Sequence, residues 1–286
     1  MSVSGQNRAA LLEGIRVLDG GMASELEYLG ARIDGPLWSA YVLEEAPEKI
    51  VAVHRAYIAA GADCIETASY QVSRWGYAEI GLELDRADAA LLRSVALARE
   101  AAAAFPDRRV VIAASLGPYG AVLHNGAEYH GNYDLSHAQL VEFHRERIDV
   151  LARAIGEALA PWPDLAAWFS FTCKDAEHVA HGERLSECAA VVAEFPQTVA
   201  IGVNCALPAL IPSLIRELRG ASEKPVVVYP NSGEGWDAVH RSWTGTSDPA
   251  AYGAKAREWF AAGARMVGGC CRTRPEHIRQ VRDAGR

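Results

Sequence analysis

The feature that most constrains this chain is the alternation of short, strongly apolar runs with longer amphipathic stretches. Continuous apolar runs predict strands buried on both faces, and the stretches between them predict helices that cover a parallel sheet. This order is typical of α/β proteins. The predicted strands are residues 15–18, 64–67, 110–114, 167–171, 199–203, 226–229 and 265–267.

Helix starts are marked by proline and by capping residues. Proline suits the first helical position, where its missing N–H group has no partner to lose. The prolines predicted at such positions are Pro47, Pro249 and Pro275. The spacing of Ser136 with Gln139, and of Thr273 with Glu276, predicts two capping boxes.

The composition limits the kinds of protein this can be. Of the 286 residues, 50% are hydrophobic and 22% are charged, which is typical of a globular protein with a sizeable core. No linker or charge block divides the chain, so we expect a single domain over residues 1–286. The net charge of −8, with no basic stripe, argues against nucleic acid or an anionic membrane and favours a small-molecule partner.

Location is predicted from two further features. No long apolar run and no hydrophobic N-terminal segment are present in the sequence, so we expect a cytoplasmic protein. Six cysteines in a chain of this length then argue against a disulfide framework. The cysteines are either core residues or functional thiols.

Polar residues follow the predicted strands, as an active-site rim of an eight-stranded βα barrel would require. They include Asp19, Glu66, Ser115, Thr172, Asn204 and Tyr229. The sequence nevertheless yields only seven strands. Between Ser115 and Ala167 we find a long loop, one helix and a proline-broken segment, which predicts that one strand is missing.

The pair Cys270 and Cys271 follows two glycines, Gly268 and Gly269. Neighbouring residues on a strand point to opposite faces, so both thiols reach one site only if the backbone turns, which glycine permits. Their Cα atoms lie about 3.8 Å apart, which is compatible with two ligands of one tetrahedral zinc. Taken alone, the pair fits buried or redox-active thiols as well as metal ligands.

Cys205 strengthens the metal hypothesis, because it follows a different strand at the same predicted rim. Three protein ligands leave one tetrahedral position open, which is the pattern of a catalytic zinc. Zinc held by three thiolates is a poor Lewis acid for water. It suits a substrate thiol, which would bind as a thiolate near neutral pH.

Several segments together resemble the homocysteine S-methyltransferase family, in particular its compact bacterial and plant members. They span nearly the whole chain and occur in the same order as in the family. The segments are residues 18–26 (LDGGMASEL), 37–40 (LWSA), 67–71 (TASYQ), 117–121 (GPYGA), 202–205 (GVNC), 229–234 (YPNSGE) and 268–273 (GGCCRT).

The resemblance implies a fold and a reaction. The fold is a (β/α)8 TIM barrel, here with the fourth strand region shortened or absent. Cys205, Cys270 and Cys271 would bind Zn²⁺, and the sulfur of homocysteine would take the open position. A sulfonium donor, S-methylmethionine or S-adenosylmethionine, would supply the methyl group, giving methionine.

The resemblance also implies substrate contacts. Asp19, Gly20 and Gly21 would surround the amino acid end of homocysteine, and Asn204 is a further substrate-binding candidate. Trp38 and Tyr70 would face the donor, since a sulfonium is a cation that aromatic rings attract. Two plainer interpretations stay open: Asp19 as a turn or cap residue, and the two aromatic residues as core packing.

The chain departs from the family in one place. Family members carry a fourth strand that ends in a Glu-Thr motif, whose glutamate also contacts the homocysteine amine. Here a segment is absent between Ala154 and Pro163, and Glu157 lies in helix-like sequence. Either the sequence omits a segment or the barrel is damaged.

Two sets of alternatives remain at this point. One is a non-catalytic zinc-binding or thiol-redox barrel in place of an enzyme. The other concerns the substrates, because betaine as donor and a selenium-containing acceptor are also compatible with the sequence.

Overall fold

The computed structural model describes residues 12–33, 39–123, 127, 133–155, 166–237 and 242–286. The helices are α1 Met22–Tyr28, α2 Ser39–Glu45, α3 Pro47–Ala60, α4 Arg74–Glu79, α5 Leu84–Ala103, α6 Tyr119–Val122, α7 His137–Ile155, α8 Leu185–Ala193, α9 Ile211–Ala221, α10 Pro249–Ala262 and α11 Pro275–Ala284. The strands are β1 Cys64–Glu66, β2 Val111–Ala113, β3 Ala167–Phe171, β4 Thr198–Asn204, β5 Val226–Tyr229, β6 Gly235–Asp237, β7 Ser242–Thr244 and β8 Ala264–Val267. No described helix is both long enough and apolar enough to cross a bilayer.

Seven parallel segments lie side by side, each next to the following one. One four-stranded sheet has the order β3-β4-β5-β8, and β1 pairs with β2 in a second sheet. Val17 and Leu18 join the two, since Val17 forms a parallel bridge with Val267 and Leu18 forms one with Cys64. β6 and β7 form a separate antiparallel hairpin. The parallel segments are the βα-barrel arrangement, and all seven predicted strands are confirmed as members of it.

Side chains of the strands alternate between two separate hydrophobic clusters. Val226 and Val228 belong to a large cluster shared with the helices. Val227, between them, belongs to a small cluster with Leu18, Cys64 and other strand residues. Because successive side chains of a strand point to opposite faces, the small cluster fills the inside of the barrel and the large one lies between barrel and helices.

The barrel is open along one side in the part of the chain that the structure describes. β2 and β3 stand at the two ends of the strand order, and no pairing joins their described residues. Every residue of β2 is only partly buried, and Phe169 on β3 is 39% exposed, whereas β4 is buried along most of its length. A strand covered by two neighbours and a helix would be buried as β4 is.

The chain is too short here for another strand and helix. α7 ends at Ile155 and β3 begins at Ala167. A strand of about five residues followed by a helix of about ten, with two loops, does not fit into the interval. The predicted shortening of the fourth strand region has its physical basis in this interval, although residues 156–165 themselves lie outside the described residues.

Most helix starts agree with the sequence. Pro47, Pro249 and Pro275 each begin a helix. Ser136 and Gln139 form the predicted capping box: the Ser136 amide donates to Gln139 Oε1 at 3.0 Å, and the Gln139 amide donates to Ser136 Oγ at 3.4 Å.

The capping box predicted for Thr273 with Glu276 is wrong. The Thr273 hydroxyl instead donates to the carbonyl of Cys270 at 2.7 Å. The residue that caps α11 is Arg274, whose amide donates to His277 Nδ1 at 3.2 Å. Thr273 is therefore part of the loop that carries the two adjacent cysteines.

Candidate functional site

The thiols of Cys205, Cys270 and Cys271 converge at the carboxyl ends of β4 and β8. Their sulfur atoms all lie within 4.8 Å of one another, and Cys205 Sγ is 3.2 Å from Cys271 Sγ. The edge of a tetrahedral site with Zn–S bonds of 2.3 Å is about 3.8 Å long. Among the described residues, no other group of three histidine, cysteine or acidic side chains is so placed as to hold a metal ion.

Cys205 reaches the cluster through an unusual backbone conformation. It directly follows β4 and has a φ of 50°, in the left-handed region. The turn is held on both sides, because the Cys205 amide donates to the Tyr229 carbonyl at 3.1 Å and Asn231 Nδ2 donates to the Cys205 carbonyl at 3.2 Å. The neighbouring strand end thus fixes the direction of this thiol.

The adjacent cysteines depend on the two glycines before them. A Cβ on Gly268 would lie 2.6 Å from Leu18 Cβ, and one on Gly269 would lie 2.3 Å from Thr273 Oγ1. The Gly269 amide donates to the carbonyl of Asp19 at 3.0 Å. Gly268 is required because the backbone passes close to the first strand segment, and Gly269 because Thr273 packs against it. Both add a steric reason to the predicted turn.

The donor set suits a soft metal ion. Hydrogen bonding with Cys205 and Cys271, together with burial, raises the pKa of the Cys270 thiol well above its usual value. Three neighbouring thiolates repel one another unless a cation lies between them. A divalent metal that prefers thiolate, such as zinc, fits these three residues.

Asp19 and Glu66 lie at the carboxyl ends of neighbouring strand segments, on the same side of the barrel. The Glu66 amide donates to Asp19 Oδ2 at 2.9 Å, and Ser115 Oγ donates to Glu66 Oε2 at 3.1 Å. Burial, and then the charge of Glu66, raise the pKa of Asp19 well above its usual value. Burial also raises the pKa of Glu66.

The two glycines after Asp19 pack tightly. A Cβ on Gly20 would lie 2.9 Å from the ring of Tyr57, and one on Gly21 would lie 2.5 Å from the carbonyl of Cys270. The Gly21 amide donates to Thr273 O at 3.2 Å and to Thr273 Oγ1 at 3.1 Å. Gly21 therefore ties the first strand segment to the cysteine loop, and its contact with substrate stays a prediction.

Tyr70 lies in the loop after β1, against the loop after β2. The Gly117 amide donates to its carbonyl at 3.1 Å, and a Cβ on Gly117 would lie 2.9 Å from two atoms of the Tyr70 ring. Arg147 Nη2 also donates to the Tyr70 carbonyl, at 2.6 Å. Trp38, the other predicted donor residue, lies outside the described residues.

Asn204 is the last residue of β4 and precedes Cys205. Its Oδ1 accepts a hydrogen bond from Thr172 Oγ1 at 3.4 Å. The structure thus brings Asn204, Asp19 and the three cysteines to one rim, which is the arrangement that the polar strand ends predict. The substrate roles of Asn204 and Asp19 stay predictions.

Three residues position the site, and two of them, Tyr57 and Arg147, were not predicted from the sequence. The Tyr57 hydroxyl donates to the carbonyls of Gly21 and Thr273, at 3.0 and 3.1 Å. Arg147 joins two loops, and Glu66 pairs with Asp19. Tyr57 and Arg147 occupy amphipathic helices, where nothing in the residue pattern marks them. Glu66 was predicted at the polar rim from its position at a strand end, but its contact with Asp19 was not.

The remaining cysteines lie apart from the cluster. Cys64 and Cys173 are buried and Cys188 is partly buried. Burial raises the pKa of the Cys173 thiol to about 12 and raises that of Cys64 as well. They are core thiols, which is one of the two roles that the sequence left open for its cysteines.

Fold and site together define a class: a βα-barrel protein with a cluster of three thiols at its carboxyl rim that could hold a metal ion. Comparison with known proteins gives the family. The family model described as "Homocysteine S-methyltransferase" matches residues 16–160 and 152–285. The chain belongs to the homocysteine S-methyltransferase family, and is an enzyme of that family.

Individual relatives agree along the whole length. The chain is 44% identical to homocysteine S-methyltransferase YbgG of Bacillus subtilis over 93% of this chain and 92% of the relative. It is 41% identical to the homocysteine S-methyltransferase of Escherichia coli over 97% and 98%. The crystal structure of the metallated homocysteine methyltransferase MmuM from Escherichia coli superposes with a TM-score of 0.81 at 39% identity, covering 96% of this chain and 98% of that one.

The comparisons also locate the departure from the family. The family match is divided in two around residues 152–160, the same interval that is too short for another strand and helix. The match to the Bacillus subtilis relative extends over 291 residues, although this chain has only 286. The relative therefore has residues that this chain lacks.

Proposed function

We propose that this chain transfers a methyl group from a sulfonium donor, S-methylmethionine or S-adenosylmethionine, to the thiol of homocysteine, giving methionine. The observation that carries the proposal is the convergence of three thiols from two strand ends, with sulfur atoms within 4.8 Å of one another. A Zn²⁺ ion held by Cys205, Cys270 and Cys271 would supply the positive charge that keeps a substrate thiol deprotonated.

The residues around the cluster would orient the acceptor. The Asp19 carboxylate pairs with the substrate ammonium group, and backbone amides at Gly20 and Gly21 lie where they can meet the substrate carboxylate. Asn204, held by Thr172, presents its side chain amide beside the ligand Cys205. Together these contacts would point the substrate sulfur at the open ligand position.

Aromatic residues would hold the donor. Tyr70, fixed at its backbone by Arg147 and Gly117, and Trp38 offer ring faces that attract a sulfonium cation. A neutral methyl donor would gain nothing from such rings. The aromatic pair thus favours a cationic donor over a neutral one.

The wider setting follows from the same proposal. We take the chain as a single domain over residues 1–286, acting on small molecules in the cytoplasm, with neither nucleic acid nor membrane as a partner. The net charge of −8 supports this choice of partner.

The test is methionine formation by zinc-loaded protein from homocysteine with a panel of donors: S-methylmethionine, S-adenosylmethionine and betaine. We expect product with a sulfonium donor and a large loss in Cys205→Ser. A protein that makes no methionine from any donor, but forms a Cys205–Cys271 disulfide reversibly, would favour a thiol-redox role. With their sulfur atoms 3.2 Å apart, Cys205 and Cys271 are close enough for such a disulfide to form.

A further inference from the structure

Asp19 and Glu66 differ from the other buried carboxylates of this protein. Glu25 is 5% exposed and contacts Arg274 at 2.9 Å, and Glu234 is 7% exposed and contacts Arg272 at 3.2 Å. Asp19 is also 5% exposed, yet within the described part of the chain no arginine, lysine or histidine forms an ion pair with it or with Glu66. Buried charges are almost always paired, and Asp19 and Glu66 have no cationic partner of the kind that Glu25 and Glu234 have among the described residues.

The Glu66 side chain faces the inside of the barrel. Cys64 belongs to the inner hydrophobic cluster, and Glu66 shares its face because side chains alternate along β1. Glu66 is nevertheless only partly buried. A side chain inside a barrel that retains solvent contact borders a space that a ligand can enter.

That space adjoins the thiol cluster. Tyr229 packs against the inner hydrophobic cluster that contains Cys64, and its carbonyl accepts a hydrogen bond from the Cys205 amide at 3.1 Å. Tyr229 therefore links the inside of the barrel to the thiol cluster. Asp19 is joined to the cysteine loop through its carbonyl, which accepts from the Gly269 amide at 3.0 Å. A ligand whose sulfur meets the thiol cluster can thus place a cationic group at the carboxylates.

We propose that Glu66 is a specificity-determining residue, which together with Asp19 forms an anionic pocket for the α-ammonium group of the thiol substrate. An ammonium group carries three donors and can be shared by two carboxylates. Glu66 is not among the residues that the family resemblance assigns to the substrate. The inference rests on the proposed function for the identity of the substrate, but it concerns binding rather than methyl transfer.

The test compares homocysteine with 4-sulfanylbutanoate, the same thiol acid without the ammonium group. Dissociation constants are measured by calorimetry on zinc-loaded wild-type protein, Glu66→Gln and Asp19→Asn, without a methyl donor. The control is Glu100→Gln, which removes one negative charge from an exposed helix position paired with Arg55. Thermal unfolding of each variant checks folding.

We expect Glu66→Gln to weaken homocysteine binding by about ten- to a hundredfold, as for a lost hydrogen bond to a charged group. Binding of 4-sulfanylbutanoate should stay unchanged or tighten, and Glu100→Gln should change neither. Because the substitution removes one of two repelling acids, the variant should fold at least as well as wild type.

Two outcomes would overturn the inference: an unchanged homocysteine constant in Glu66→Gln, or an equal loss for both thiols in folded protein. Failure of the proposed function is a separate result. A wild-type protein that makes no methionine but prefers homocysteine to 4-sulfanylbutanoate, with the preference lost in Glu66→Gln, supports the pocket and contradicts the methyl transfer.

Discussion

At the scale of single residues, Cys205 shows how closely backbone and chemistry are joined. Its φ of 50° costs about 1 to 2 kcal/mol for a residue that carries a Cβ. Glycine would relieve that strain but would remove the thiol. In this conformation Cys205 Sγ lies 3.2 Å from Cys271 Sγ.

Replacing Cys205 by serine should therefore abolish tight zinc binding. Serine keeps the backbone conformation and the size of the side chain but replaces the soft thiolate, so one of three ligands is lost. Zinc per chain, measured by elemental analysis after dialysis against a weak chelator, should fall from near one to well below one half. Cys188→Ser, a cysteine of α8 outside the cluster, serves as control and should retain full zinc. Stoichiometric zinc in Cys205→Ser would show that Cys205 is not a ligand.

Trp38→Leu should impair use of the donor alone. If its ring attracts the sulfonium, the loss is about 1 to 2 kcal/mol, or about five- to thirtyfold in the donor KM. The homocysteine KM should barely change. Both constants are measured separately at saturating partner substrate, and a loss confined to homocysteine would assign Trp38 to the acceptor side.

His54 makes the stability of the fold sensitive to acid. It is fully buried in α3, neither ring nitrogen has a partner among the described atoms, and burial lowers its pKa from 6.5 to about 4. In the unfolded chain His54 therefore binds a proton below pH 6.5, whereas in the folded protein it stays neutral down to about pH 4. The contribution of neutral His54 to the free energy of unfolding is fully present above pH 6.5. It is lost as the pH falls through this window, by at most about 3 kcal/mol.

The matching variant is His54→Leu, which removes the titrating group. Urea unfolding between pH 7 and pH 4.5 should show a shallower loss of stability in this variant than in wild type. Some slope should remain, because burial also lowers the pKa of His144 to about 4. If the free energy of unfolding has the same pH dependence in both proteins, folding does not lower the pKa of His54.

At the scale of secondary-structure elements, Arg147 on α7 connects the loops that follow β1 and β2. Its guanidinium is 1% exposed and donates to the carbonyls of Gly117 at 2.7 Å and Tyr70 at 2.6 Å. Burial lowers its pKa to about 10, so it stays charged at neutral pH. The loop that presents Tyr70 is thus held by one helix.

Arg147→Leu should lower the free energy of unfolding by about 2 to 4 kcal/mol, since buried carbonyls lose charged donors. Arg145→Leu on the same helix is the control. Its side chain is 61% exposed and pairs with Glu142, a contact worth about 0 to 1 kcal/mol. Urea titration of both variants provides the measurement, and equal effects would contradict the structural role of Arg147.

The elements were predictable where a residue pattern reflects burial. β3 and β5 have the predicted limits, since continuous apolar runs correspond to strands covered on both faces. The role of Thr273 was not predictable, because its hydroxyl can either cap a helix or donate to the carbonyl of Cys270. The geometry of the loop, which the sequence does not show, selects the second bond. The lack of a cationic partner at Glu66 among the described residues was likewise not predictable, because it becomes visible only when the partners of the other acids are known from the structure.

At the scale of the whole molecule, the site joins distant parts of the chain. Asp19 comes from the first strand segment, Cys205 from the end of β4, and Cys270 with Cys271 from the end of β8. The order of strands in the barrel brings them together, with β8 next to residues 17–18. A metal ion bound at this rim would therefore stabilise the barrel as a whole, because the unfolded chain offers no preformed site.

The open side of the barrel lies away from that junction. β2 and β3 border it, while β4, β5 and β8, whose ends surround the cysteines, pair with one another. The strands that carry the thiols thus keep their neighbours on both sides. This arrangement explains how the thiol cluster stays assembled although a βα unit of the family is shortened.

The central claim is that the three thiols hold a zinc whose open position takes the thiol of homocysteine. X-ray absorption at the zinc edge, on loaded protein with and without saturating homocysteine, tests it directly. We predict three sulfur ligands and one lighter atom in the free protein, and four sulfur ligands at about 2.3 Å with homocysteine bound. A sulfur count that stays the same at saturation, with binding verified by calorimetry, would contradict the account.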